Sequence, residues 1–186
     1  MPARGSDRLH VATRDLLVSG VSVAGVAALA HAVSWVLLAG AVGPTAYVFA
    51  AHPSTDTARL SNAMVGHATA ILVALATLGC FGLWHARLHV TQHPDTATVF
   101  SAAVAVGVTV FILDLAGRHH APAAATAVLV ASTLIPPGRP VLELAAALAA
   151  VSMIGAAVAK LVYHVGPSTG HRRRFHISIP TEHGRR

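Results

Sequence analysis

The sequence predicts an all-α membrane protein: four transmembrane helices in two repeats, each with a short re-entrant or broken helical segment. Three observations predict it. The 186 residues are 54% hydrophobic and only 11% charged, where a soluble domain carries about 25% charge, and the mean hydropathy is +0.64. Four apolar runs, at residues 16–40, 60–84, 96–113 and 141–159, reach the roughly 17–25 residues that span a bilayer. The stretch Gly43-Pro44-Thr45-Ala46 after the first run returns after the third as Ala124-Ala125-Thr126-Ala127, and a lone arginine, Arg59 or Arg139, follows each copy.

The first run stands behind Arg4, Arg8 and Arg14 and ends near Ala39-Gly40-Ala41, a pattern similar to a signal-peptidase site. A signal peptide's apolar region is only about 7–15 residues long, so the run is read as a retained helix. The second run contains His67 and the single cysteine, Cys80, which alone gives neither a disulfide nor a thiolate metal site. Loop 84–95 joins the repeats, about 14–84 and 96–165, of one transmembrane domain spanning residues 14–165. Residues 1–13 form an N-terminal segment and 166–186 a basic tail. The third run ends at Asp114 with Arg118 one turn later, an i,i+4 pair. The fourth opens with Glu143 within a turn of Arg139 and ends at Lys160, whose stem can snorkel.

Charge sets the orientation. If the four runs are the only crossings, ten of the thirteen basic residues fall on the side of the termini and the central loop, leaving Arg59, Arg118 and Arg139 on the other. The positive-inside rule then makes both termini and that loop cytoplasmic, in the plasma (inner) membrane. The net charge of +6 is accounted for by contact with anionic lipid, and no nucleic-acid partner is indicated.

Chemistry concentrates at the two broken segments. Pro44 and Pro122 each precede a short apolar run, and proline suits the first turn of a helix. First-turn N–H groups lack intrahelical partners and carry partial positive charge, so two such termini at one cavity make an anion site. Gly43 would let the backbone approach closely. Thr45 and Thr126 would add hydroxyls, or cap their helices. Arg59 and Arg139 would form an electropositive entrance. If each repeat crosses twice, the copies share one orientation; if the short segments also cross, the copies are inverted. The charge count favours the first. Small-residue faces offer little shielding for a pathway, so a homo-oligomer is expected.

His119-His120-Ala121-Pro122-Ala123-Ala124-Ala125-Thr126-Ala127 resembles the signature of the HPP family of small integral membrane proteins, His-Pro-Pro followed by Ala-Gly-Ala-Thr-Ala. Ala121 stands for the first proline and Ala124 for the glycine. Gly43-Pro44-Thr45-Ala46 resembles the family's Gly-Ala-Ser-Ala, and Asn62 with Gly66-His67 its Asn-x-x-Gly-Gly-His. The resemblance covers about residues 16–165. It implies four spans and transport of a small inorganic anion, nitrite first, with Asn62, His67 and His120 beside the threonines at the site.

His67 and His120 adjoin the broken segments, and imidazole titrates near neutrality, so either can assist an anion or carry a proton. The alternative reading is a membrane metal- or haem-binding protein using His31 and His67, or His85, His89 and His93 at helical spacing. No cofactor is expected. The sequence has no hydrolase, metalloprotease or phosphate-loop motif, so an enzyme is not expected either.

Overall fold

The computed structural model describes residues 5–32, 40–87 and 93–165, and these are helical with connecting turns. α1 spans Gly5–Ala32, α2 Val42–Ala51, α3 Leu60–Cys80, α4 Thr96–Leu115, α5 Pro122–Ala131 and α6 Arg139–Val165. A single 3-10 turn, Asp56–Ala58, precedes α3. Among the described residues α3, α4 and α6 are long and apolar enough to cross a membrane. α1 is a fourth long helix, and it begins nine residues before the expected domain boundary at 14. The tail 166–186 lies outside the described residues.

Small residues at helical spacing build the interior. α3 buries Ala63, His67, Ala70, Ala74 and Leu78 along one stripe, and α4 buries Thr98, Ser101, Ala105, Thr109 and Leu113 along another. Such stripes let helices approach closely where lipid removes the hydrophobic drive between them. The outward positions hold large apolar side chains that are exposed, among them Leu72, Phe111 and Leu142, as a lipid-facing surface requires. Asp95 caps α4 by accepting the Thr98 N–H at 2.7 Å. Those Thr98 contacts hold its carboxyl below the usual carboxylate range.

Contacts at the two ends fix the direction of every helix. Val18 of α1 clusters with Ala50 and Ala159, while a Cβ at Gly25 would lie 3.4 Å from Ile154. α1 and α6 therefore run antiparallel. Arg59 and Leu60 at the start of α3 share a crevice of about 580 Å³ with Lys160 near the end of α6. His120, before α5, bonds the Thr57 carbonyl beside that crevice, whereas Pro136 and Gly138, after α5, share a crevice with Trp84 and Arg87 beyond α3. The first end is termed the basic end, since among the described residues Arg8, Arg14, Arg59, Arg118 and Lys160 lie toward it and only Arg87 and Arg139 lie at the other.

The chain therefore traverses the bundle six times, and the repeat α1–α2–α3 starts at the basic end while α4–α5–α6 starts at the opposite one. The repeats are inverted, which corrects the same-orientation arrangement favoured by the charge count. That count assumed that the short segments do not cross. Because the chain returns through the connections that hold them, the loop after α3 lies at the end opposite the two termini of the described chain, and the charge asymmetry becomes steeper. The third helices are exchanged between repeats: α3 packs mainly on α4 and α5, α6 mainly on α1 and α2, and α3 meets α6.

Candidate functional site

His67 lies where the two short helices converge. It is seven residues into α3, about 10 Å from the basic end at 1.5 Å per residue, and so a few ångströms from the helix midpoint. Its side chain is buried. Nδ1 is 2.9 Å from Thr126 Oγ1 on α5, and Nε2 is 3.0 Å from Thr45 Oγ1 on α2. The two threonines of the sequence repeat thus meet on one imidazole. The ring of His120 stands edge-on to it, with centroids 4.7 Å apart, and the two Nε2 atoms are 3.1 Å apart. His120 Nδ1 is 2.9 Å from the Thr57 carbonyl.

Assigning hydrogens to this network leaves little freedom. A carbonyl only accepts, so His120 Nδ1–H donates to Thr57. Thr45 donates its hydroxyl to the Ala41 carbonyl at 2.7 Å and can only accept from His67. In the neutral pair, His120 Nε2 is then bare, His67 Nε2–H points at it, and Thr126 donates to His67 Nδ1. Two bare or two protonated Nε2 atoms cannot sit 3.1 Å apart, so one hydrogen is shared between the rings.

The expected anion cradle of free N–H groups is not present at α5. Pro122 has no donor, and the N–H groups of Ala123 and Ala124 bond the carbonyls of His120 and Ala121 at 3.0 and 3.1 Å. At α2, Thr45 N–H bonds the Ala41 carbonyl at 3.2 Å. Both threonine hydroxyls are likewise engaged. They position His67 instead of standing open to a ligand.

Other expected residues are placed elsewhere. Gly43 is exposed, and a Cβ there would meet nothing within 4 Å, so no close approach requires it. Asn62 donates to the Asp56 carbonyl at 2.9 Å and accepts from Arg118 at 3.3 Å, tying the 3-10 turn to α3 outside the histidine pair. Arg59 and Arg139 lie at opposite ends of the bundle and form no common entrance. Arg59 pairs with Asp56 at 2.9 Å and Arg139 with Glu143 at 2.7 Å. The latter is the pair expected, but Asp114 pairs with His119 at 3.2 Å and not with Arg118. The His31 side chain and His89 fall outside the described residues, and among the described residues no three potential ligands gather around a metal position. With both ring nitrogens engaged, His67 would have to leave its partners to bind haem iron.

Three contributors were not anticipated. Gly66 allows the histidines to meet, since a Cβ there would lie 2.9 Å from His120 Cβ. The Thr57 carbonyl fixes the His120 tautomer. Thr109 of α4 is fully buried and its hydroxyl has no partner among the described residues. It lines a cavity of about 330 Å³ with Thr57, Asp114, His119 and His120. Only Gly66 had a sequence signal, in the Gly66-His67 pair that resembles the family's Asn-x-x-Gly-Gly-His, though not as a spacer between histidines.

No curated protein and no solved structure matches the chain. The family model described as HPP, transmembrane region, matches residues 5–169, from the start of α1 past the end of α6. A buried histidine from one repeat, a second histidine at the head of α5 and a threonine from each short helix are thus the centre of a chain that belongs to the HPP transmembrane family.

Proposed function

We propose that this membrane protein transports a small monovalent anion, with nitrite the first substrate to test, and that it is not an enzyme. The observation that carries the reading is the convergence of two inverted repeats on His67, because transporters with inverted repeats place their sites at the repeat interface near the midplane. An anion entering there would take donors that now serve the network of Thr126, His67 and His120. The basic end, with Arg59 and Lys160 in one crevice, attracts anions to the mouth. Anionic lipid would surround a homo-oligomer.

By the positive-inside rule the basic end faces the cytoplasm of the plasma membrane, carrying both termini with it. In a Cys80→Ser background, Ser54→Cys should react with an impermeant maleimide from the cytoplasmic side and His85→Cys from the other. Labelling of both from one side would refute six crossings.

Uptake of nitrite, nitrate, formate and chloride into proteoliposomes tests the function. Nitrite uptake above protein-free liposomes, falling at least tenfold in His120→Ala, is expected. Absence of flux for all four, from folded protein, would overturn the reading. Metal or a Soret band in the purified protein would instead favour the haem or metal alternative.

A further inference from the structure

We infer that the crevice at the basic end is a binding site for one anionic phospholipid, its phosphate held between Arg59 and Lys160 and the start of an acyl chain lying along α6. The inference does not depend on what the protein transports. At about 580 Å³ the crevice falls within the roughly 300–1,000 Å³ of small-ligand sites. Phe49 of α2, Leu60 of α3 and Ala156 of α6 give it apolar walls. Arg59, Lys160 and Ser54 supply its polar part, and no acidic residue lines it among the described residues. Basic pockets between helices on the cytoplasmic side suit anionic headgroups.

The polar and apolar parts are ordered in depth. Arg59 directly precedes α3 and Lys160 stands near the end of α6, both at the basic end. Ala156 is one turn before Lys160, about 6 Å deeper at 1.5 Å per residue. Met153 on α6 and Met64 on α3, both exposed, continue the two walls inward at helical spacing from Ala156 and Leu60. Cations therefore stand at the mouth, and exposed apolar side chains lead from it toward the middle of the membrane. A phospholipid in the leaflet at this end has the same order. Arg59 meets Asp56 at 2.9 Å through Nε, but a guanidinium has five N–H donors and an ammonium three. Each cation can thus take a phosphate oxygen alongside its other contacts. A free inorganic anion would use the cations alone and leave the apolar walls without a role.

The inverted repeats supply a comparison. Exchanging them carries the connection after α2 onto the connection after α5, and the end of α6 onto the end of α3. A crevice stands at that equivalent place too, of about 340 Å³. Trp84–Arg87 and Pro136–Gly138 line it, all from the connections and none from a helix. The repeat architecture therefore accounts for a crevice at each end. It does not account for the deepening between α2, α3 and α6, which occurs at the basic end and puts apolar walls beneath two cations. Phe49 and Leu60 belong to the first repeat, Ala156 and Lys160 to the second. A lipid seated among them bridges the repeats, and a ligand that binds the folded chain stabilises it.

Thermal unfolding of the full chain in a neutral detergent tests the site, with phosphatidylglycerol, phosphatidylcholine of the same chains, or inorganic phosphate added. Phosphatidylglycerol should raise the unfolding midpoint saturably, and the other two should not. The concentration giving half the effect should rise roughly fivefold in Arg59→Gln or Lys160→Gln and about 30-fold in the two together, from the usual worth of a basic residue beside anionic lipid. Ala156→Leu, which keeps both cations and fills the apolar wall, should weaken the effect about as much as the double variant. An equal rise with phosphatidylcholine would mean unspecific solvation by lipid, and an equal rise with inorganic phosphate a free-anion site; either overturns the proposal. A phosphatidylglycerol effect unchanged in Ala156→Leu would also overturn it, since charge alone would then attract the lipid. Where one variant does not elute as the native protein does, the other decides. The readout is unfolding and not flux, so a failed lipid site leaves the transport reading standing, and absent transport leaves the lipid site standing.

Discussion

Gly66→Val is expected to abolish uptake and to destabilise the protein by about 1–3 kcal/mol, the usual cost of forcing extra carbon into a packed interior. A Cβ at this position would lie 2.9 Å from His120 Cβ, 3.3 Å from its Cδ2 and 3.4 Å from Ala123 Cβ. The nearest of these is the root of a side chain fixed at both ring nitrogens, so it cannot swing aside. Alanine favours a helix by about 1 kcal/mol over glycine, which offsets part of the cost in Gly66→Ala but does not restore the spacing of the rings. Gly155 makes a useful comparison, because a Cβ there would approach Phe49 at 3.1 Å away from the histidines. Gly155→Ala should leave nitrite uptake per folded molecule within about twofold, since the Phe49 contact falls outside the packed ring pair, and the helix gain of about 1 kcal/mol offsets strain there as well. Thermal unfolding in detergent, with uptake on the same preparations, separates the two. A Gly66→Ala protein as stable and active as the native one would show that the close approach is unimportant.

His67→Leu is expected to cost about 1–3 kcal/mol and to eliminate uptake. The apolar side chain fills the space, but His120 Nε2 loses its donor and Thr126 its acceptor, and a buried polar group left unpaired costs that much. Thr45 keeps its bond to the Ala41 carbonyl and should contribute less. A double-mutant cycle tests whether the contact is energetic as well as geometric. His67→Leu and Thr126→Val should be non-additive by about 0.5–3 kcal/mol, as for residues sharing one hydrogen-bond network. Additivity within about 0.3 kcal/mol would mean that the 2.9 Å contact carries no coupling. The same cycle with Thr45→Val should give a smaller value, because Thr45 shares the Nε2 hydrogen with His120.

The sequence by itself determined the helical class, the membrane setting, the two repeats and the threonine in each short segment. These are local properties: apolar length, charge content and the recurrence of a short pattern all survive without knowing what packs on what. His67 and His120 were also legible, as histidines beside broken apolar segments. Tertiary structure decided the rest. Whether a ten-residue helix turns back or crosses depends on which neighbours receive its ends, and that choice inverted the repeats, moved the loop after α3 away from the termini and separated Arg59 from Arg139. The N-terminal amides of α5 could be read as an anion site only until their carbonyl partners at His120 and Ala121 were seen. Asn62, read as a site residue, is drawn off by Asp56 and Arg118, groups close in space but six and fifty-six residues away in sequence. The partnerless Thr109 and the Thr57 carbonyl had no sequence signal at all, because a hydroxyl's lack of a partner and a carbonyl's direction exist only in the folded chain.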